Sequence, residues 1–319
     1  MIFFVVLLII VLLLLIADFY ISYKMFEMWF KRAESPQLDV EKASGTFKGY
    51  VIQAQQAIEW LSQYPKDDLT IISEDGLKLQ GELFHLQKKC KKVVLAMHGF
   101  HGGGEYDMAR FTEFYQQNGF DACIIQQRSH ENSEGRYITF SYFEQNDGIL
   151  WCQKLIEIYG EDVQIVLHGV SMGGATVCMM SGNSNLPSQV LCTISDCAFE
   201  SLQGEMRHVL DERTQLPVEL TLFLVGIWAK LKAKLPVKEV KVAEAVKHAK
   251  VPIMFIHGGD DTFIPTRMAS TLFDACSTMK SICIIEKATH ATSYVVDKDK
   301  YEKEVKQFID NVVKQQSAS

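Results

Sequence analysis

From Val93 onward the chain alternates short, almost unbroken apolar runs with longer stretches of helical spacing, and this alternation restricts the fold more than any other feature. The runs are VVLAMHG from Val93, FDACIIQ from Phe120, VQIVLHG from Val163, QVLCTIS from Gln189, PIMFIHG from Pro252 and SICIIEK from Ser281. Between them the spacing predicts helices over 105–117, 143–158, 172–182, 265–276 and 298–314. A strand that is apolar at nearly every position has both faces buried, which calls for parallel strands with helices on either side. Two further β-type runs, LTIIS from Leu69 and LKLQGELFHL from Leu77, come before the series. The expectation is one α/β domain over 65–319 with a mostly parallel eight-stranded sheet. A helix-like insertion of about lid size, 200–248, separates the sixth and seventh strands.

Residues 1–17 are all apolar and end at Asp18. As a helix they reach about 26 Å, the short end of a membrane span. A cleaved signal peptide is disfavoured, because no Lys or Arg precedes the run and no small-residue cleavage site follows it. Phe19, Tyr20, Tyr23 and Trp29 suit an interfacial belt, and Lys24, Lys31 and Arg32 come after them. Residues 1–30 are therefore expected to be a retained single-pass anchor of the cell membrane. The positive-inside rule then puts the rest of the chain in the cytoplasm. Residues 31–64 are read as a polar linker (33–48) followed by a helix that begins at Tyr50 and ends before Pro65.

The chain carries 32 Lys+Arg against 39 Asp+Glu, a net charge of −7, which makes nucleic acid an unsuitable partner. Its eight cysteines form no C-x-x-C pair, and Cys123, Cys192 and Cys283 fall inside strand-like runs as small buried hydrophobes. That usage fits a reducing compartment.

Gly169-Val170-Ser171-Met172-Gly173 matches G-x-S-x-G. The match alone is weak, but a strand leads straight into it and a helical stretch leads straight out, the setting of a nucleophile elbow. A serine hydroxyl needs a base to take its proton, and the base needs an acid to orient it. Four histidines follow Ser171. His208 and His248 lie in the insertion, and His257 ends a strand where a structural role is expected. His290, in KATHATSY after the last strand, is placed to reach the serine. The acid should lie just beyond the preceding strand, which leaves Asp260 and Asp261. His98 and His101 invite a metal reading, but no further ligands accompany them, so no metal and no cofactor are expected.

With these motifs in hand, residues 65–315 resemble the α/β-hydrolase superfamily. HGGDDTFIP resembles the pattern H-G-x-x-D-x-x-V-P, and its register implies Asp261 as the acid. KATHATSY resembles the segment of the catalytic histidine, implying His290. MHGFHGGG resembles the loop after the third strand, which implies an oxyanion hole from the backbone N–H groups of Phe100 and Met172. The N-terminal span, SDCAFES from Ser195 and KEVKVAEAVKHAKVP resemble bacterial membrane-anchored hydrolases of the serine-aminopeptidase and esterase-like group. Where such proteins usually read D-x-R-G-H-G-x-S-x-G, this chain has QQRSHENSEG, keeping Arg128, His130, Ser133 and Gly135.

The reading is a serine hydrolase cleaving a small or lipid-like carboxylic ester through an acyl-enzyme, with Ser171, Asp261 and His290 catalytic. A serine aminopeptidase-like activity is the nearest rival, and a catalytically silent membrane scaffold is the alternative from another class. Residues 218–235 are expected to form a lid helix whose positions 220–228 cover the acyl pocket, with a membrane contact as the competing use. The lysines at 88, 89, 91 and 92 read as a solvated turn.

Overall fold

The computed structural model describes residues 2–32, 40–41 and 43–318. Eight strands form one sheet: β1 (Lys66–Ile72), β2 (Lys78–Phe84), β3 (Lys92–Met97), β4 (Asp121–Ile125), β5 (Gln164–Val170), β6 (Val190–Asp196), β7 (Ile253–Gly258) and β8 (Lys280–Ile285). Their order is β1-β2-β4-β3-β5-β6-β7-β8. The contacts of β2 with β1 and β4 are antiparallel, and every other neighbouring pair is parallel. β4, β6 and β7 are buried at every position, the physical reason their sequences are unbroken apolar runs.

Side chains alternate between the two faces as the strand period requires. Val94 and Val166 pack on one face with Phe111 and Phe114 of α3 (Gly104–Gln117) and Phe308 of α11 (Lys298–Ala318). Leu95 and Leu167 pack on the other with Trp151 and Leu155 of α4 (Glu144–Tyr159) and Val177 of α5 (Met172–Ser181). The chain turns after β7 into α9 (Arg267–Ala275), and after β8 into the short α10 (Ser293–Val296). Between β6 and β7 stand α6 (Leu202–Arg213), α7 (Val218–Ala233), a 3₁₀ turn and α8 (Val242–Lys247).

Two departures from the sequence reading lie at the N-terminal end. α2 runs Gly45–Leu61, so it starts within the stretch read as linker. Residues 33–39 and 42 of that stretch lie outside the described residues. The second departure has more consequence. α1 (Ile2–Phe30) is long and apolar enough to cross a membrane, and its positions 2–17 are exposed throughout, but its second half is not a free anchor. Asp18, Ser22, Met25, Phe26 and Phe30 are buried at helical spacing. Thr221 Oγ1 donates to Asp18 Oδ1 at 3.2 Å, and the Trp228 ring of α7 lies 4.9 Å from Phe19 and 5.0 Å from Tyr23. At the end of the helix, Ile138 N–H donates to Phe30 O at 2.6 Å. The Arg32 guanidinium donates to the carbonyls of Glu131 and Ser133. The loop after β4 is thus clamped by the root of the apolar helix.

Candidate active site

β5 ends in the centre of the sheet and delivers Ser171 at φ 57° and ψ −117°, a left-handed conformation that a side chain adopts only under constraint. The glycines of the motif answer to close approach. A Cβ on Gly169 would run into the carbonyl of Gly173, and one on Gly173 into the carbonyl of Met97. Ser171 N–H donates to Asp196 O at 2.8 Å, pinning the turn to β6. Beneath it lies a buried polar chain that the sequence did not announce. The Tyr301 hydroxyl donates to Asp196 Oδ2 at 3.1 Å and lies 3.0 Å from His168 Nε2, while His168 Nδ1 lies 3.0 Å from the Tyr115 hydroxyl. Burial lowers the His168 pKa to about 3, so its ring is neutral, and raises that of Asp196 to about 6.

The loop after β8 brings His290 Nε2 to 2.8 Å from Ser171 Oγ, and His290 Nδ1 to 2.8 Å from Asp261 Oδ2. Asp261 Oδ1 accepts the backbone N–H groups of Phe263 and Ile264, each at 2.9 Å. Burial alone would push this carboxyl up, but hydrogen bonds and charge from His257 and His290 hold it well below the ordinary carboxylate range. An ionised Asp261 accepts a hydrogen bond from His290 Nδ1–H, which fixes the tautomer and leaves Nε2 free to accept from the serine hydroxyl. Asp260 is exposed, and of the two aspartates that spacing left open it is Asp261 that lies in hydrogen-bond distance of His290. His257 is buried with Nε2 2.8 Å from Ile264 O, and His208 lies 3.0 Å from Thr262 O; neither is bonded to Ser171.

Phe100 sits in the loop after β3, and Met172 opens α5. Neither backbone N–H is taken by a hydrogen bond among the described residues, and both residues border the same cavity as Ser171. The loop owes its shape to Asp107, whose Oδ2 accepts Gly99 N–H at 2.8 Å and whose Oδ1 accepts the Tyr50 hydroxyl at 2.5 Å. Asp107 was not singled out from sequence; an acid in the first turn of the helix after that loop was the available signal. His98 Nε2 accepts Gln127 N–H at 2.9 Å, which uses the lone pair a metal would need. The donor atoms of Cys197, Asp261 and His290 lie within 4.8 Å of one another, but both nitrogens of His290 are already engaged. All eight cysteines are free thiols.

The cavity over Ser171 holds about 440 Å³. Phe199 lines it from the turn after β6, Leu202, Met206 and Val209 from α6, Phe263 and Ile264 from the turn after β7, and Met25, Met28, Trp29 and Phe30 from α1. None of residues 220–228, expected to cover the pocket, borders it; α6 takes that place and α7 packs outside it against α1. Among the described residues that line the pocket the one carboxyl is Glu205, missed from sequence. It is 8% exposed, neither oxygen has a hydrogen-bond partner, and burial raises its pKa to about 8.

No known protein-family profile matches the sequence. An uncharacterized protein of Bacillus subtilis (strain 168), YqkD, is 25% identical over 259 residues, 80% of this chain and 82% of that one. Among solved structures, the Pyrococcus furiosus esterase Pf2001 aligns with a TM-score of 0.64 at 20% identity, covering 79% of this chain and 93% of that one. The α/β-hydrolase GrgF from Penicillium sp. sh18 aligns with a TM-score of 0.58 at 15% identity, covering 77% and 98%.

Proposed function

We propose that this chain, which has the α/β-hydrolase fold, is a serine hydrolase that cleaves a carboxylic ester. The observation that carries the reading is the continuous hydrogen-bonded chain from Asp261 through His290 to a strained Ser171 that opens onto an apolar cavity. Ser171 Oγ attacks the ester carbonyl while His290 Nε2 takes its proton. Asp261 holds the ring tautomer and stabilises the imidazolium. The tetrahedral oxyanion sits between the N–H groups of Phe100 and Met172, each worth a few kcal/mol when preorganised. The carbon–oxygen bond to the alcohol then breaks, and the alcohol leaves with the proton from His290. A water activated by the same ring hydrolyses the acyl-serine and restores Ser171.

An ester is favoured over a peptide because the cavity offers no acidic cluster for a substrate ammonium. Glu205 stands alone there, opposite Arg213. A silent scaffold would have no need to keep all three side chains in bonding distance. We place the chain in the cell membrane through residues 2–17, with the catalytic part in the cytoplasm on the strength of Lys24, Lys31 and Arg32. The deciding experiment is hydrolysis of p-nitrophenyl esters of graded acyl length by the purified full chain, with fluorophosphonate labelling alongside. Absence of both would overturn the reading.

A further inference from the structure

We infer that α7 lies in the leaflet that α1 crosses, and that the substrate is an acyl ester resident in that leaflet. The substrate part rests on the hydrolase reading above; the docking part does not.

Three observations converge. The first is the shared helix. From Ala17, where the apolar run ends, to Met25, where the cavity wall begins, is about 12 Å along the helix axis. The pocket therefore opens just beneath the membrane surface, and Met28, which borders it, is itself 59% exposed.

The second is an outer stripe on α7. Leu220, Phe223, Leu224, Ile227 and Leu231 follow one another at helical spacing, with Phe223 62% and Leu231 70% exposed. The inner face, Thr221, Leu222, Val225 and Ala229, is buried against the protein. A stripe of this kind beside an apolar helix marks an interaction surface.

The third is what lies next to that stripe. α7 meets α1 between Asp18 and Tyr23, at the level where the exposed apolar run of α1 ends. Residues 2–17 are exposed along their whole length and apolar enough to be covered by a bilayer, and the stripe continues that surface. Exposed Lys230, Lys232 and Lys234 follow at the end of α7, suited to anionic headgroups. A helix embedded this way presents the cavity mouth to acyl chains that never enter water.

The test uses the full chain in vesicles of phosphatidylcholine and phosphatidylserine. Cys90, the one cysteine not fully buried, is changed to Ser, and single labelling sites are made by Phe223→Cys, Leu231→Cys and, as an aqueous control, Ser188→Cys. Fluorescence at 223 and 231 should be quenched by doxyl-labelled lipid and protected from iodide, with the reverse at 188. Iodide access at 223 equal to that at 188 would overturn the docking. Protection from both quenchers would assign the stripe to a protein partner or a second copy, and would overturn it equally.

The substrate arm compares a long-chain ester placed in the same vesicles as the enzyme with the same ester in separate vesicles. Co-resident ester should be cleaved about tenfold faster or more, a gap of at least ~1.4 kcal/mol. Equal rates, with a water-soluble acetyl ester still hydrolysed, would sink the membrane source and spare the hydrolase. Loss of every hydrolysis and of fluorophosphonate labelling would sink the hydrolase, leaving the quenching result to decide the docking.

Discussion

Phe30 and Phe140 meet edge to face with ring centroids 5.3 Å apart, and Phe140 in turn lies 4.9 Å from Phe100. Three aromatic rings thus connect the last turn of the apolar helix to the loop proposed to bind the oxyanion. Phe30 is fully buried, so removing its ring leaves a cavity as well as lost burial.

Phe30→Ala should destabilise the detergent-solubilised protein by about 3–5 kcal/mol, the usual cost of truncating a buried phenylalanine. It should also lower kcat/KM, because the support of Phe100 is loosened. Chain lacking residues 2–17 should keep its thermal transition and activity, whereas chain lacking residues 2–30 should lose both. Equal behaviour of the two truncations would show that the packing of α1 on the domain is dispensable.

Ser171→Ala should abolish ester hydrolysis and fluorophosphonate labelling while leaving the thermal transition in place. The measurement is mass-spectrometric identification of the labelled peptide; a label on another serine would move the proposed nucleophile.

The two adjacent aspartates should part sharply. Asp261→Asn removes the acceptor of the His290 Nδ1 proton and should cut turnover on the scale of ~10⁴, as expected when a triad acid is neutralised. Asp260→Asn, on an exposed side chain, should change it little. Steady-state kinetics on one soluble ester suffices, and the opposite ranking would reject Asp261.

Glu205 should make the fold less stable in alkali. Its carboxyl titrates near pH 8 in the folded chain, against an ordinary value of 4.5. Between those limits the folded chain keeps a proton that the unfolded chain has released, so stability falls as pH rises through the window. Each unit of the window removes about 1.4 kcal/mol. Glu205→Gln should therefore unfold at a higher temperature than wild type at pH about 8 and at nearly the same temperature at pH about 4. Melting curves that stay parallel across pH would mean that Glu205 is ionised and partnered.

Orientation can be read in cells. Protease added outside intact cells should spare the catalytic part, and carbonate washing should leave the chain in the membrane fraction. Digestion without lysis would reverse the assigned topology.

The sheet was legible because buried parallel strands must be apolar at consecutive positions, and no other element of that length has the same requirement. Ser171 and His290 could be singled out as candidates because a strand end followed by a turn carries local chemistry. The choice between Asp260 and Asp261 was left open by spacing and rested on the resemblance alone; in the structure it is Asp261 that accepts the backbone N–H groups of Phe263 and Ile264. The α1 wall was not legible because what that helix packs against, Ile138, Thr221 and Trp228, lies more than a hundred residues away in sequence, and Glu205 carried no local motif. For α7 the apolar run was read and its direction was not, because an acyl pocket, a neighbouring helix and a lipid tail demand the same residue types.

The wall contributed by Met25, Met28, Trp29 and Phe30 also bears on how the protein is made. These residues leave the ribosome well before Phe140, Phe199 and the turn at Phe263, with which they share the cavity wall. The cavity is therefore finished only when segments far apart in the order of synthesis meet. A copy whose α1 is not docked lacks that wall, so on the proposed hydrolase reading a mislocalised chain should be silent.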